Sequence, residues 1–318
     1  MSGVATVKSC ALCGGASFSL YERGMYALDG ELLDLLRCRC GFVFVSPRPT
    51  AERLRALYAS EKYYETDYTL GVAGSSYFAR RDELLRIYDK VVRDLERTEK
   101  PGRIFEVGAA GGFFLEAARR RGWNASGVEI SPFAAEYARR EFGIDVQTGD
   151  VTEAHVPPGS QDVVYVDNIL EHTIDPVDVL RRLLAMLRAG GLLVVIVPTY
   201  VNSIYFRVLK VLRGGTLGRV LAPGRLGAIL KLRASEPSPP YHIDEFTLPV
   251  LRSMVAKAGF SVERLEGSVP IPDYLENGGA GGAATLLQKA AFRSADALMR
   301  AGILPGARVE VHARRLRG

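Results

Sequence analysis

Between residues 103 and 197 the chain alternates five short apolar runs with helical segments, and no other feature limits its fold as tightly. The apolar runs are 103–108, 125–130, 146–148, 162–166 and 192–197, the last stopped by Pro198. Helices are predicted near 112–121, 132–142 and 176–188. Two helix starts are marked with particular clarity. Ser131-Pro132 and Asp175-Pro176 each set a capping oxygen ahead of a proline whose fixed φ suits the first helical position. Strands and helices in this order imply an α/β fold with a mostly parallel, doubly wound, Rossmann-like sheet.

Composition agrees with that architecture. Of 318 residues, 47% are apolar, enough for a substantial core, and 33 glycines suit many tight turns between strand and helix. A formal charge of +5 is too mild to argue for a nucleic-acid partner. The first eight residues carry no apolar stretch of the secretory kind. The longest uncharged stretch, 189–206, is broken by Gly190, Gly191, Pro198 and Asn202, so it reads as a buried strand with its turns. A cytoplasmic location is expected.

All four cysteines fall before residue 41. Cys10 and Cys13 form one pair, and Cys38 and Cys40 form a second after a gap of 24 residues. Two close thiol pairs a hairpin apart match the four soft ligands of tetrahedral zinc. Gly14 and Gly41 let the backbone wrap the sulfurs. With every ligand drawn from protein, such a zinc is structural. The alternative is four reduced thiols, and the one-residue spacing of Cys38 and Cys40 makes that pair the weaker half.

Four segments are expected: a zinc-ribbon-like module at 1–48, a helical connector at 49–100, a ligand-binding α/β domain at 101–267, and a closing helix and strand at 268–318. Helical spacing is clear at 84–95, 247–258 and 285–300, and further strands are expected at 261–267 and 307–313. A segment at 204–240 reads as a lid insertion. Its 204–233 stretch holds seven basic residues and no acidic one among many apolar residues, so it fits either a cover over an anionic or lipid-linked acceptor or a membrane-surface contact. The bland reading of that stretch is a solvated helical pair.

The first strand runs into Glu106-Val107-Gly108-Ala109-Ala110-Gly111-Gly112, a glycine-rich turn opening a helix. Glu106 puts a carboxylate where a pyrophosphate would be repelled and an ammonium group welcomed. Glu129, 23 residues later, stands at the next strand end and suits both hydroxyls of a ribose. Asp150, after the third strand, suits an adenine amino group. Three carboxylates at successive strand ends favour a cationic adenosine ligand over a dinucleotide.

On these residues the chain resembles the class I S-adenosylmethionine-dependent methyltransferases. The turn is similar to that family's acid-x-Gly-x-Gly-x-Gly motif, with Ala110 at the central glycine. The likeness continues through Leu170-Glu171-His172-x-x-Asp175-Pro176, His242-x-x-x-Phe246-Thr247 and Ala258-Gly259-Phe260. It implies a seven-stranded sheet, S-adenosylmethionine as cofactor, and contacts from Glu106, Gly108, Ala110, Gly112, Glu129, Ile130, Asp150, Val151 and Asn168. The paired cysteines, Pro47-Arg48-Pro49 and Tyr63-Tyr64 resemble a subgroup with an N-terminal zinc knuckle that includes deoxysugar methyltransferases.

Methyl transfer from a sulfonium needs alignment and exclusion of water, and a hydroxyl acceptor also needs a base. His172 and His242 are the candidates, with holding the loop as the alternative role for each. Tyr200, Asn202 and Tyr241 are candidate acceptor contacts. The expected reaction is O-methylation of a small natural-product, sugar or glycan-pathway intermediate, with C- or N-methylation as the alternative. A nucleic-acid methyltransferase is disfavoured because Ser238-Pro239-Pro240-Tyr241 stands after the fifth strand instead of the fourth, and no cysteine nucleophile follows Cys40. A cofactor-binding protein without catalysis and a nicotinamide oxidoreductase are the remaining alternatives. Oligomeric state is left open.

Overall fold

A computed structural model describes residues 3–60, 63–64, 76–199, 240, 242–269, 283–304 and 306–317. The strands and helices, in chain order, are β1 (Val4–Ala5), β2 (Phe18–Leu28), β3 (Glu31–Cys38), β4 (Val43–Ser46), β5 (Arg48–Pro49), α1 (Ala51–Ala59), α2 (Arg81–Leu95), β6 (Arg103–Val107), α3 (Phe113–Arg120), β7 (Asn124–Glu129), α4 (Pro132–Phe142), β8 (Asp145–Thr148), β9 (Gln161–Asp167), α5 (Pro176–Met186), β10 (Leu187–Pro198), β11 (Asp244–Glu245), α6 (Leu248–Lys257), β12 (Phe260–Ser268), α7 (Ala283–Arg300) and β13 (Arg308–Arg315). The chain divides into two compact units. One comprises Met1–Pro49, Val197–Ser253 and Leu265–Glu310; the other comprises Thr50–Ile196, Met254–Arg264 and Val311–Gly318.

In the first unit β2, β3 and β4 form an antiparallel meander, and β11 joins the far edge of β4 with Asp244 opposite Phe44. The residues at 1–48 therefore share their sheet with a strand from some 200 positions downstream. An exposed β4 edge would leave backbone groups unpaired, and β11 satisfies them. Asp244 and Glu245 are both buried, and Asp244 pairs with Arg48. The guanidinium of Arg48 also lies over the Phe44 ring at 5.7 Å.

The seven-stranded sheet has the order β12-β13-β10-β9-β6-β7-β8, with β10, β9, β6, β7 and β8 pairing in parallel. This is the doubly wound architecture that the alternation predicts. The winding reverses between β6 and β9, the place where crevices open beyond the carboxyl ends of parallel strands. The caps expected at Ser131 and Asp175 are present. Ser131 accepts from Ala134 N, and Asp175 accepts from Val177 N and Asp178 N. Beneath the glycine-rich turn, Phe113, Phe114 and Leu115 are fully buried, and Phe114 stacks on Tyr165 with centroids 4.0 Å apart. Among the described residues no helix is long and apolar enough to cross a membrane.

Candidate active site

A cavity of about 320 Å³ opens at this reversal point, within the second unit. The ends of β6, β7 and β9 form its floor, with α1 and Tyr63-Tyr64 as a wall. Glu129, Asp150, Asp167, Asp175 and Asp178 line it, against Arg55 as the basic side chain. Such a surface attracts a cationic ligand. Of the residues named from sequence as cofactor contacts, Gly108, Ala110, Glu129, Ile130, Asp150, Val151 and Asn168 line the cavity.

Glu106 and Gly112 are not part of that lining. Glu106 is buried at the end of β6, and its Oε2 has no hydrogen-bond partner among the described residues. Burial, with the charges of Asp167 and Glu129 adding to it, holds its carboxyl well above the usual range. Gly112 caps α3 with φ at 74°, and a Cβ there would meet the Cβ of Ala138 at 2.8 Å. It is glycine because α3 and α4 pack tightly at that point. Gly108 is the residue whose bareness shapes the cavity: a Cβ there would lie 2.0 Å from Ile169 Cδ1. Ala110 and Asn168, both cavity-lining, adopt left-handed φ values of 44° and 54°. That conformation costs alanine about 1–2 kcal/mol and asparagine less, because its short polar side chain tolerates the left-handed region.

Glu129 is more heavily engaged than a ribose acceptor at a strand end needs to be. Its Oε1 accepts from Tyr64 Oη at 3.0 Å and Ser131 N at 2.8 Å, and its Oε2 accepts from Ala110 N at 2.8 Å. A carboxylate offers about four acceptor sites, so roughly one stays open for a ligand. The expected grip on both ribose hydroxyls therefore requires Tyr64 to give way. Burial raises the carboxyl's pKa, and the backbone N–H groups of Ser131, Ala110 and Ile130 and the Tyr64 hydroxyl counter that effect. Tyr64 is itself held well above the usual phenol range by burial and by the Glu129 charge. Asp150 Oδ1 accepts from Thr152 N at 2.8 Å, so part of its capacity shapes its own turn.

His172 lines the cavity from the short helical turn at Leu170–His172. Its Nδ1 is 2.8 Å from Tyr58 Oη, and its Nε2 is 3.6 Å from Oε1 of the fully buried Glu171. The Tyr58 and His172 rings meet edge to face at 5.0 Å. Tyr58, on α1, lines the same cavity and is 7% exposed. Arg55, one turn earlier, holds Glu153 through two hydrogen bonds of 2.8 and 3.2 Å, and this bond keeps the Glu153 carboxyl below its usual range. His242 belongs to the first unit, half-buried just ahead of β11. Tyr200, Asn202, Tyr241 and the 204–233 stretch lie outside the described residues.

Sequence reasoning missed Tyr58, Asp167 and the bond from Tyr64 to Glu129. Asp167 was discoverable, since it ends β9 as Glu129 ends β7. For the two tyrosines no local signal distinguishes a cavity wall from ordinary packing.

In the first unit the four cysteine sulfurs lie within 4.8 Å of one another. Cys10 Sγ is 3.6 Å from Cys40 Sγ, and Cys13 Sγ is 3.5 Å from Cys38 Sγ. Sulfurs bound tetrahedrally at 2.3 Å from zinc stand about 3.8 Å apart, so the set fits that ion. The turns are closed by Gly14 N to Cys10 O at 2.8 Å and Gly41 N to Cys38 O at 2.9 Å, with both glycines at positive φ. The Gly15 N–H and the Cys38 thiol bring Cys13 down to about 7, whereas burial raises Cys10 and Cys40.

A family model described as a methyltransferase domain matches residues 77–265. The ubiquinone biosynthesis O-methyltransferase of Aeromonas salmonicida is 34% identical over 105 residues, covering 30% of this chain and 44% of that protein. The protein of the same name from Ralstonia nicotianae is 34% identical over 95 residues, covering 28% and 40%. The chain thus spans less than half the length of these curated relatives. Among solved structures, the cyclase SpnF aligns with a TM-score of 0.51 at 18% identity, over 85% of this chain and 98% of that one.

Proposed function

The chain belongs to the methyltransferase-domain family, and on that footing we propose that it is an S-adenosylmethionine-dependent methyltransferase acting on a hydroxyl group of a small molecule. The observation that carries this reading is the acid-lined cavity at the sheet's reversal point. Its carboxylates suit a ligand with a sulfonium and an ammonium group. Glu129, Ala110 and Gly108 would hold its ribose and the chain beside it, and Asp150 and Val151 its adenine. When bound, the cofactor supplies an electrophilic methyl group: the acceptor's electron pair forms the new bond as the carbon–sulfur pair returns to sulfur.

The protein's own contribution is alignment, water exclusion and a route for the acceptor's proton. Oxygen as the acceptor atom is supported by the O-methyltransferase relatives, and by a histidine and a tyrosine in hydrogen-bond contact on the cavity wall. Cys10, Cys13, Cys38 and Cys40 would hold one structural zinc, which fits a cytoplasmic setting where thiols stay reduced. Calorimetry should detect binding of S-adenosylmethionine and none of NAD, and labelled methyl should pass to a hydroxylated acceptor. Absence of heat with S-adenosylmethionine would overturn the assignment.

A further inference from the structure

We propose that Tyr58, His172 and Glu171 form a proton relay whose outer member, the Tyr58 hydroxyl, receives the proton of the acceptor. The inference rests on the hydroxyl-acceptor reading above and assigns the base within that site. Taken alone, the sequence offers His172 or His242 as the base. The two ring nitrogens of His172, however, face protein groups: Nδ1 the Tyr58 hydroxyl at 2.8 Å, and Nε2 the Glu171 carboxylate at 3.6 Å. Glu171 is fully buried, so a negative charge on it acts on the imidazole with little screening by water. A carboxylate beside Nε2 favours the tautomer with its proton there, leaving the Nδ1 lone pair to accept from Tyr58. The order of groups is that of a carboxylate–histidine–hydroxyl triad, with a phenol in the place of serine.

Tyr58 and His172 both line the cavity, so a phenol oxygen donating to Nδ1 can accept a proton from a ligand bound there. The edge-to-face contacts of Tyr58 with His172, at 5.0 Å, and with Tyr63, at 5.3 Å, hold the ring in place. In the step, the acceptor's proton moves to Tyr58 Oη while the Tyr58 proton moves to His172 Nδ1. The acceptor oxygen keeps the electron pair that bound its proton, and His172 becomes an imidazolium beside Glu171. Nothing is oxidised or reduced, and the imidazolium later returns the proton to water. Among the described residues, other ionisable groups lining the cavity include Tyr63, which packs on the Tyr58 ring, Arg55 on α1, and Asp167 and Asp175 at the strand end and the cap of α5.

Two measurements on the full chain test the relay. In nitrogen-15 spectra of histidine-labelled protein, neutral His172 should be protonated at Nε2, and Glu171→Gln should weaken that preference and lower the imidazolium pKa. A dominant Nδ1–H tautomer overturns the proposal. With labelled S-adenosylmethionine, Tyr58→Phe should lower kcat about 100-fold on a sugar hydroxyl such as those of methyl glucoside, and less on the more acidic catechol. Affinity for S-adenosylhomocysteine, which also reports that the variant is folded, should stay within about twofold. Transfer by Tyr58→Phe at the wild-type rate sinks the relay while leaving the hydroxyl reading intact. Wild-type protein that binds cofactor but transfers to carbon or nitrogen acceptors alone sinks the hydroxyl reading and the outer proton step with it.

Discussion

The cysteine corner and the acid-lined cavity each gather ionisable side chains, but they are assembled in opposite ways. The corner takes its four thiols from two turns, one ahead of β2 and one between β3 and β4, each closed by its own glycine. The cavity takes its groups from the ends of β6, β7 and β9, from α1 and from Tyr63-Tyr64, over more than 120 positions. A metal site can be encoded by spacing, because tetrahedral geometry is satisfied within two short turns. A pocket for an organic ligand needs a wall, and here that wall is a helix distant in sequence from the strand ends it faces.

The difference can be broken at its strongest point first. Cys38→Ser should abolish retention of about one zinc per chain, measured by metal analysis, while the cavity still binds S-adenosylhomocysteine. Zinc retained at full occupancy would show that the four sulfurs are not the ligand set. In the cavity, Glu129→Ala removes the acceptor of three internal hydrogen bonds as well as a ligand contact, and should weaken cofactor binding by about 100-fold or more in calorimetry. Unchanged affinity would mean that the ribose lies elsewhere.

Glu106→Gln sharpens the electrostatic side of the comparison. Because the folded protein holds this carboxyl above its unfolded value, ionising it costs folded stability. The cost is absent below the unfolded carboxyl pKa near 4.3 and grows as pH rises toward the folded value. In the ligand-free protein the variant should therefore melt a few degrees higher than wild type at pH 8, and at the same temperature at pH 4. Equal melting temperatures at both pH values would remove the buried charge from the account. Smallest of all, Ala110→Gly should relieve the left-handed strain at φ 44° and change stability by no more than about 1 kcal/mol in denaturant unfolding. A larger loss would mean that the Ala110 methyl packs productively.

Much of the frame was legible without coordinates. The predicted helix at 132–142 matches α4, and the predicted strand at 103–108 ends one residue beyond β6. Both are controlled by local rules of capping, proline geometry and apolar runs. Glu129 and Asp150 were also visible, because a residue at the carboxyl end of a parallel strand has few places to point. Glu106 and Gly112 show where the same reasoning stops. One lies behind the cavity wall, and the other is small for the sake of Ala138, a neighbour that sequence spacing does not reveal.

The sequence by itself determined the doubly wound sheet, the place of the glycine-rich turn and the two cysteine turns, since each is announced by local patterns of apolar runs, caps, glycines and thiol spacing. Tertiary structure alone decided that β11 closes the edge of β4, that Tyr64 occupies part of Glu129, and that Tyr58 stands 2.8 Å from His172. Those contacts join segments 65 to 200 positions apart, and a helix such as α1 looks the same in sequence whether its tyrosine meets solvent, core or a histidine. Long-range packing makes that choice, and the chemistry of the site depends on it.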